Sequence, residues 1–247
     1  MIIIVSPAKA MNSCRECMQW QDMPEFLEDT RKIYAQLKSM DYEQLKQLWK
    51  CNDEIAKLNV QRLARMELEQ ELSPALLSYD GIQYQYMDPQ SFSSAELEYV
   101  QQHLRIISGF YGILRPLDGI RPYRLEMQAK LQIGGSKDLY SFWGDKIAQN
   151  ILSQTDCIVN LASKEYSRCV SKHLPADKRF ITCIFGEEKD GKLVEKGTMC
   201  KIARGEMVCW LAQNHIEDPQ QLCRFEGTYH RFSPEYSDEN NFAFLKK

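Results

Sequence analysis

Three arginines, two tyrosines, an aspartate and a glutamate fall between Gly109 and Met127, in the stretch GFYGILRPLDGIRPYRLEM. Arg115, Arg121 and Arg124 carry planar guanidinium forks that match phosphate or carboxylate oxygens two at a time. Asp118 and Glu126 are spaced to pair with those forks and orient them. Tyr111 and Tyr123 offer ring faces for a base or a sugar. Pro116 and Pro122 forbid one continuous helix, so these groups sit on an irregular segment. Their charges either pin that segment internally or line a cleft for a phosphate-bearing ligand, and their density favours the cleft.

Two further clusters carry chemistry. Ser6-Pro7-Ala8-Lys9 has the spacing of a serine nucleophile with a lysine base, but Pro7 places it on the exit from a strand rather than at a helix start. A lysine at the end of a parallel strand is equally suited to meet a phosphate. The stretch NLASKEYSR offers Asn160, Ser163, Lys164, Glu165 and Tyr166, and KIARG adds Lys201 and Arg204. If the sheet is parallel at its centre, the ends of Ile2–Val5 and Cys157–Leu161 lie side by side. Ser6, Lys9, Asn160 and Ser163 then converge with the arginine segment. Cys14 and Cys17 have CxxC spacing with no second ligand pair for zinc. The four histidines are scattered without ligand spacing. No metal site and no cofactor is expected.

Local signals define the elements that must hold these groups. The apolar run Ile2–Val5 reads as a buried strand. Phe26, Leu27, Ile33, Tyr34 and Leu37 follow helical spacing. Asp41 with Gln44, and Ser93 with Glu96, have the form of capping boxes. Leu97, Val100, Leu104 and Ile107 extend the second of these helices to a stop at Gly109, and Ser141 is placed to cap a helix spanning Trp143 to Leu152. CIVNLAS and RFITCIF read as strands, and Asp190-Gly191 marks a hairpin turn. No repeat, linker or low-complexity tract interrupts the chain. The expectation is a mixed α/β fold over residues 1–247: one compact domain with a mixed central sheet and surrounding helices.

Composition narrows the class. With 44% hydrophobic and 26% charged residues, the 247-residue chain reads as an ordinary folded protein. No apolar run approaches the ~20 residues of a membrane span, and the start lacks the pattern of a secretion signal. Nine cysteines, an odd number, read as reduced thiols of a cytoplasmic protein. The net charge of −3 is no signature of a basic nucleic-acid binder, yet it is unevenly spread. Asp22 to Glu98 holds 15 acids against 8 bases, and Gln101 to Ala212 holds 17 bases against 12 acids. An anion cleft in the second part fits that asymmetry.

The motifs SPAK after a hydrophobic strand, QQHLRIISGFYGILRPLD, PYRLEM, KDLYSFWGD, NLASKEY and KIARG, in that order, resemble the peroxide stress protein YaaA family from Met1 to Phe232. The resemblance implies a cytoplasmic bacterial protein of the oxidative stress response, linked to DNA repair and to control of reactive iron. It also implies a fold peculiar to the family and binding of double-stranded or branched DNA through a positively charged cleft. Lys9, Arg115, Arg121, Tyr123, Arg124, Lys164, Lys201 and Arg204 are the residues expected to contact it. Some members of the family carry a helix-hairpin-helix near their first helices. The matching stretch is at about 41–66, where Arg62, Arg65 and Lys57 would reach phosphates, with Lys57 standing where the turn glycine is expected. The gathering of Ser6, Asp118, Glu126, Asn160, Ser163, Glu165 and Tyr166 keeps a second reading open: an enzyme acting on a nucleotide or nucleic-acid base. No membrane and no protein partner is implied.

Overall fold

The computed structural model describes residues 1–13 and 18–247. The CxxC expectation at Cys14 and Cys17 lies outside the described residues. Four consecutive β-branched residues, Ile2–Val5, form strand β1, with Ile3, Ile4 and Val5 fully buried. A strand covered on both faces must be apolar on both, which is why no alternation is visible. The main sheet continues with β2 (Leu104–Ser108), β3 (Gly112–Leu114), β4 (Cys157–Leu161), β5 (Arg179–Lys189), β6 (Lys192–Val194), β7 (His230–Phe232) and β8 (Asn241–Lys246). Its order is β7-β8-β5-β4-β1-β2-β3, with β6 folded back on β5. The strands β8, β5, β4, β1 and β2 run parallel, whereas β7, β3 and β6 join antiparallel. The sheet is therefore mixed, and the fold is α/β as expected.

The local signals hold where they are local. Helix α1 (Leu27–Lys38) buries Ile33 and Leu37. Helix α2 (Tyr42–Trp49) opens with the Asp41–Gln44 capping box, and the helix Ser94–His103 opens with the Ser93–Glu96 box. Asp190 and Gly191 both take positive φ, 53° and 72°, at the hairpin between β5 and β6. Two expectations fail. The helix expected to run on to Gly109 ends at His103, and Leu104–Ser108 is instead strand β2 beside β1. All five of its residues are buried, and a fully buried strand shows the same unbroken apolarity as a buried helix turn. The helix expected from Ser141 divides into Leu139–Trp143, capped by the Asp138 side chain on the Ser141 amide, and Lys146–Leu152. Gly144, with φ +53°, separates the two.

Helix α3 (Asp53–Ala64) follows α2 after a short link and is capped by Asn52. The link turns at Lys50, whose φ of 47° is left-handed. Lys57 lies within α3 and not at a turn, so the residue standing in the position that favours glycine is Lys50. The long helix Gly197–Gln213 packs on Ile82–Met87 and on β5. The two helices approach so closely at Gly205 that a Cβ there would stand 2.2 Å from the Gln83 carbonyl oxygen. Gly205→Ala must force these backbones apart, at a cost of about 1–3 kcal/mol. Urea unfolding checks this: an unchanged midpoint would mean that the packing is not tight.

Candidate functional site

The C-terminal ends of β1 and β4 are neighbours, with Val5 opposite Leu161. Each strand exits into a loop that carries polar groups. The Ser163 amide donates to Ser6 Oγ at 2.9 Å, and Ser6 Oγ donates to Ser163 Oγ at 3.3 Å. Tyr84 OH donates to the Ser6 carbonyl at 2.9 Å and fixes the exit of β1. Lys9 turns away from Ser6: its Nζ lies 2.9 Å from Glu126 Oε2. Ser6 and Lys9 therefore do not form a nucleophile–base pair. Arg124 Nη2 takes the other Glu126 oxygen at 3.2 Å, and Arg124 Nη1 donates to the Lys9 carbonyl at 3.3 Å. Glu165 is adjacent, its Oε1 accepting from the Gln128 amide at 3.2 Å. Burial pushes the Glu165 carboxyl above the usual carboxylate range, and the charge of Glu126 adds to this. Gly109 makes room for this arrangement, because a Cβ there would meet the Leu125 carbonyl oxygen at 2.8 Å.

A groove of about 210 Å³ lies beside this cluster, lined by Arg62, Arg65, Arg121, Leu58, Gln61 and Ser13, together with Pro122. Leu58, Gln61, Arg62 and Arg65 follow one another at helical spacing, so a single face of α3 forms one wall. Arg121 and Pro122 form the other. Arg62 Nη2 donates to the Met11 carbonyl at 2.9 Å, tying α3 to the chain just past Lys9. Neither Arg62 nor Arg65 has a carboxylate within ion-pair distance among the described residues. Arg121 pairs with Glu71 Oε2 at 2.9 Å, on a glutamate whose side chain is half exposed. Among the described residues the groove wall itself contains no acid. Arg62 and Arg124 also line a common small cleft with Pro122, which joins the groove to the Lys9 cluster.

Several expected residues are elsewhere. Arg115 leaves β3 at the level of Arg105, near the start of β2, and the chain returns to the other end of the sheet only at Arg124. Arg115 and Asp118 therefore do not share a cleft with Lys9. Asp118 Oδ2 accepts from the Arg115 amide at 2.8 Å rather than from its guanidinium. Tyr111 and Tyr123 are core side chains, at 0% and 6% exposure. Tyr123 OH is bonded to Tyr79 OH at 2.9 Å and to Ser108 Oγ at 2.6 Å, and Phe110 stacks on its ring with centroids 5.0 Å apart, so it serves the core. Asn160 is a buried residue of β4 itself, its Oδ1 accepting from the Ala162 amide, and Tyr166 is buried at 7%. Lys164 is exposed at the first position of the helix Lys164–Ser171, next to Ser163. Lys201 is exposed on the helix Gly197–Gln213, and Arg204 there pairs with Glu195 at 3.5 Å. Neither bonds to Lys9 or Arg124. Burial holds the thiols of Cys169 and Cys183 up at about 12, so these are core residues. Among the described residues no group of His, Cys, Asp and Glu is arranged to hold a metal, and no helix is long and apolar enough to cross a membrane.

A family model described as peroxide stress protein YaaA matches residues 1–236. The chain belongs to the peroxide stress protein YaaA family. Its relatives include a UPF0246 protein of Lachnoclostridium phytofermentans, 47% identical over 246 residues, covering 100% of this chain and 96% of that one. A UPF0246 protein of Desulfitobacterium hafniense is 46% identical over 246 residues, covering 100% and 98%. One of Agathobacter rectalis is 44% identical over 247 residues, covering 100% and 99%. The YaaA resemblance carried by the SPAK, PYRLEM and NLASKEY motifs thus extends through nearly the whole chain. The motif residues that do meet around the β1 and β4 ends are Ser6, Lys9, Arg124, Glu126, Ser163 and Glu165. Sequence reading did not single out Leu58, Gln61 and Ser13 as groove residues, although the 58, 61, 62, 65 spacing was available as a signal. It also did not join Arg121 to Arg62 and Arg65, which no local pattern could have done.

Proposed function

We propose that this YaaA-family protein acts in the peroxide stress response by binding double-stranded DNA, with the backbone phosphates lying along the Arg62–Arg65–Arg121 groove and reaching Arg124 and Lys9. The observation that supports the reading is the meeting of these three arginines in one groove whose wall, among the described residues, carries no acid. Arginine forks at successive positions along a groove suit the repeating phosphates of a duplex, and such contacts need no base readout. The pair α2 and α3 supports the same reading, since it presents the basic face of a helix beside a short turn, as a helix-hairpin-helix does. Bound along this groove, the protein would cover DNA against peroxide-derived and iron-derived oxidants. The test is equilibrium binding of a short duplex across a salt series. Binding should weaken linearly on log–log axes, with a slope of about −0.9 for each phosphate neutralised. Absence of binding at low salt, or an affinity indifferent to salt, would rule the reading out.

A further inference from the structure

At the opposite end of the sheet from the basic groove, a cavity of about 220 Å³ opens beside the start of β2. Arg105 and Arg115 supply two guanidinium groups to its wall, Asp22, Glu25 and Asp118 supply three carboxyl groups, and Asn150 adds an amide. The fold positions these groups firmly. Arg105 is the one charged residue of β2, only 4% exposed, and its Nη atoms donate to the Gln101 and Leu104 carbonyls and to Gln154 Oε1. Asp118 is 3% exposed and is held by a reciprocal pair of bonds with the Arg115 backbone, at 2.8 and 3.2 Å.

Two observations distinguish this from a structural ion-pair network. No ion pair joins either arginine to any of the three acids among the described residues, so guanidinium and carboxyl groups face a shared space without pairing with each other. In addition, the Arg105 Nε is buried and has no hydrogen-bond partner. A buried guanidinium with an unmade bond is costly unless something fills the position. An object that completes the site must present negative charge to the guanidinium groups and positive charge to the carboxylates, and it must fit a space of small-metabolite size.

We propose that this cavity binds a small zwitterion of the α-amino acid class, its carboxylate on the Arg105 and Arg115 side and its ammonium on the Asp22, Glu25 and Asp118 side. This site is separate from the DNA-binding reading and does not rest on it. The test is thermal-shift and calorimetric titration of the full chain with the common L-amino acids. At a concentration well above Kd the gain in stability is RT ln(1 + [L]/Kd), so ~10 mM ligand is sufficient to expose millimolar binding. At least one amino acid should give a saturable rise in melting temperature. Its N-acetyl and carboxamide derivatives, each lacking one charge, should bind at least about tenfold more weakly. Arg115→Ala, at an exposed position, should abolish the shift while the far-UV spectrum stays native. Asp118→Asn, which keeps an acceptor for the Arg115 amide, should weaken it by a similar factor. No response to any amino acid, a response unaffected by removing either charge, or undiminished binding in Arg115→Ala would each overturn the assignment.

Discussion

Duplex binding by the Arg62→Ala, Arg65→Ala, Arg121→Ala triple variant is expected to fall about a hundredfold at moderate salt, with a salt slope shallower by about 2.7. The slope follows from counting: each lost phosphate contact removes about 0.9. The affinity follows from about 1 kcal/mol for each guanidinium–phosphate contact, the order of a surface ion pair. The variant should still fold. Among the described residues Arg65 has no ion pair to lose, Arg62 gives up one bond to the Met11 carbonyl, and Arg121 gives up its pair with the half-exposed Glu71 and a bond to the Glu71 carbonyl. Lys57→Ala serves as the comparison, since Lys57 belongs to α3 but not to the groove wall. If the triple variant keeps the wild-type slope, the phosphates lie elsewhere, and the groove is an ordinary solvated helix face.

The second large effect is a pH dependence of stability centred on Asp118. Burial pushes this carboxyl from 3.8 up to about 7, outweighing the Arg115 amide and the charges of Arg115 and Arg105, which pull the other way. The folded state therefore retains a proton that the unfolded chain has already released. Between about pH 4 and pH 7 the native state binds more protons than the unfolded state, and stability must fall as pH rises. The stabilisation is fully present below the unfolded value and is lost as pH passes the folded value. A shift of this size corresponds to about 4 kcal/mol as an upper bound. Asp118→Asn removes the titrating proton while keeping an acceptor for the Arg115 amide. Its unfolding free energy from urea titration at pH 5 and pH 8 should change less than that of the wild type, by up to that amount. Other groups that titrate in the same interval are common to both proteins and cancel in the difference. Parallel profiles for the two proteins would show that Asp118 is ionised in the folded state throughout.

The two sites differ in how far they were legible from the chain. The expected convergence of Ser6, Lys9, Asn160 and Ser163 rests on β1 and β4 each announcing themselves by an apolar run and each exiting into polar residues, whereas Glu165 joins that end only in the structure. The one assumption needed was that the strands are parallel neighbours, and the register of Val5 with Leu161 meets it. The arginine segment was legible as chemistry but not as geometry. Its nineteen residues run from one end of the sheet to the other, so that Arg115 and Arg124, nine positions apart, serve opposite ends. Of the cavity around Arg105, the sequence marks Arg115 and Asp118 as chemistry but not as neighbours of Arg105, which is a lone arginine inside the apolar string LRIIS, a string whose spacing continues that of a helix.

What the sequence determined by itself is what depends on neighbours three or four residues away: the capping boxes at Asp41 and Ser93, the periodicity of α1, the Asp190-Gly191 turn and the apolar strands. These are set by backbone conformation and by short-range hydrogen bonds, which repeat wherever the same residue types recur at the same spacing. Only the tertiary structure decided whether Leu104–Ser108 is strand or helix, because continuous burial erases the periodicity that tells them apart. It alone decided that Tyr111 and Tyr123 are core and not ligand contacts, since a tyrosine suits either place and only packing chooses. It also decided that Arg121 faces Arg62 and Arg65 across a groove. That pairing depends on where the sheet order carries each segment, and charges brought together from distant parts of the chain leave no mark in the local pattern of either.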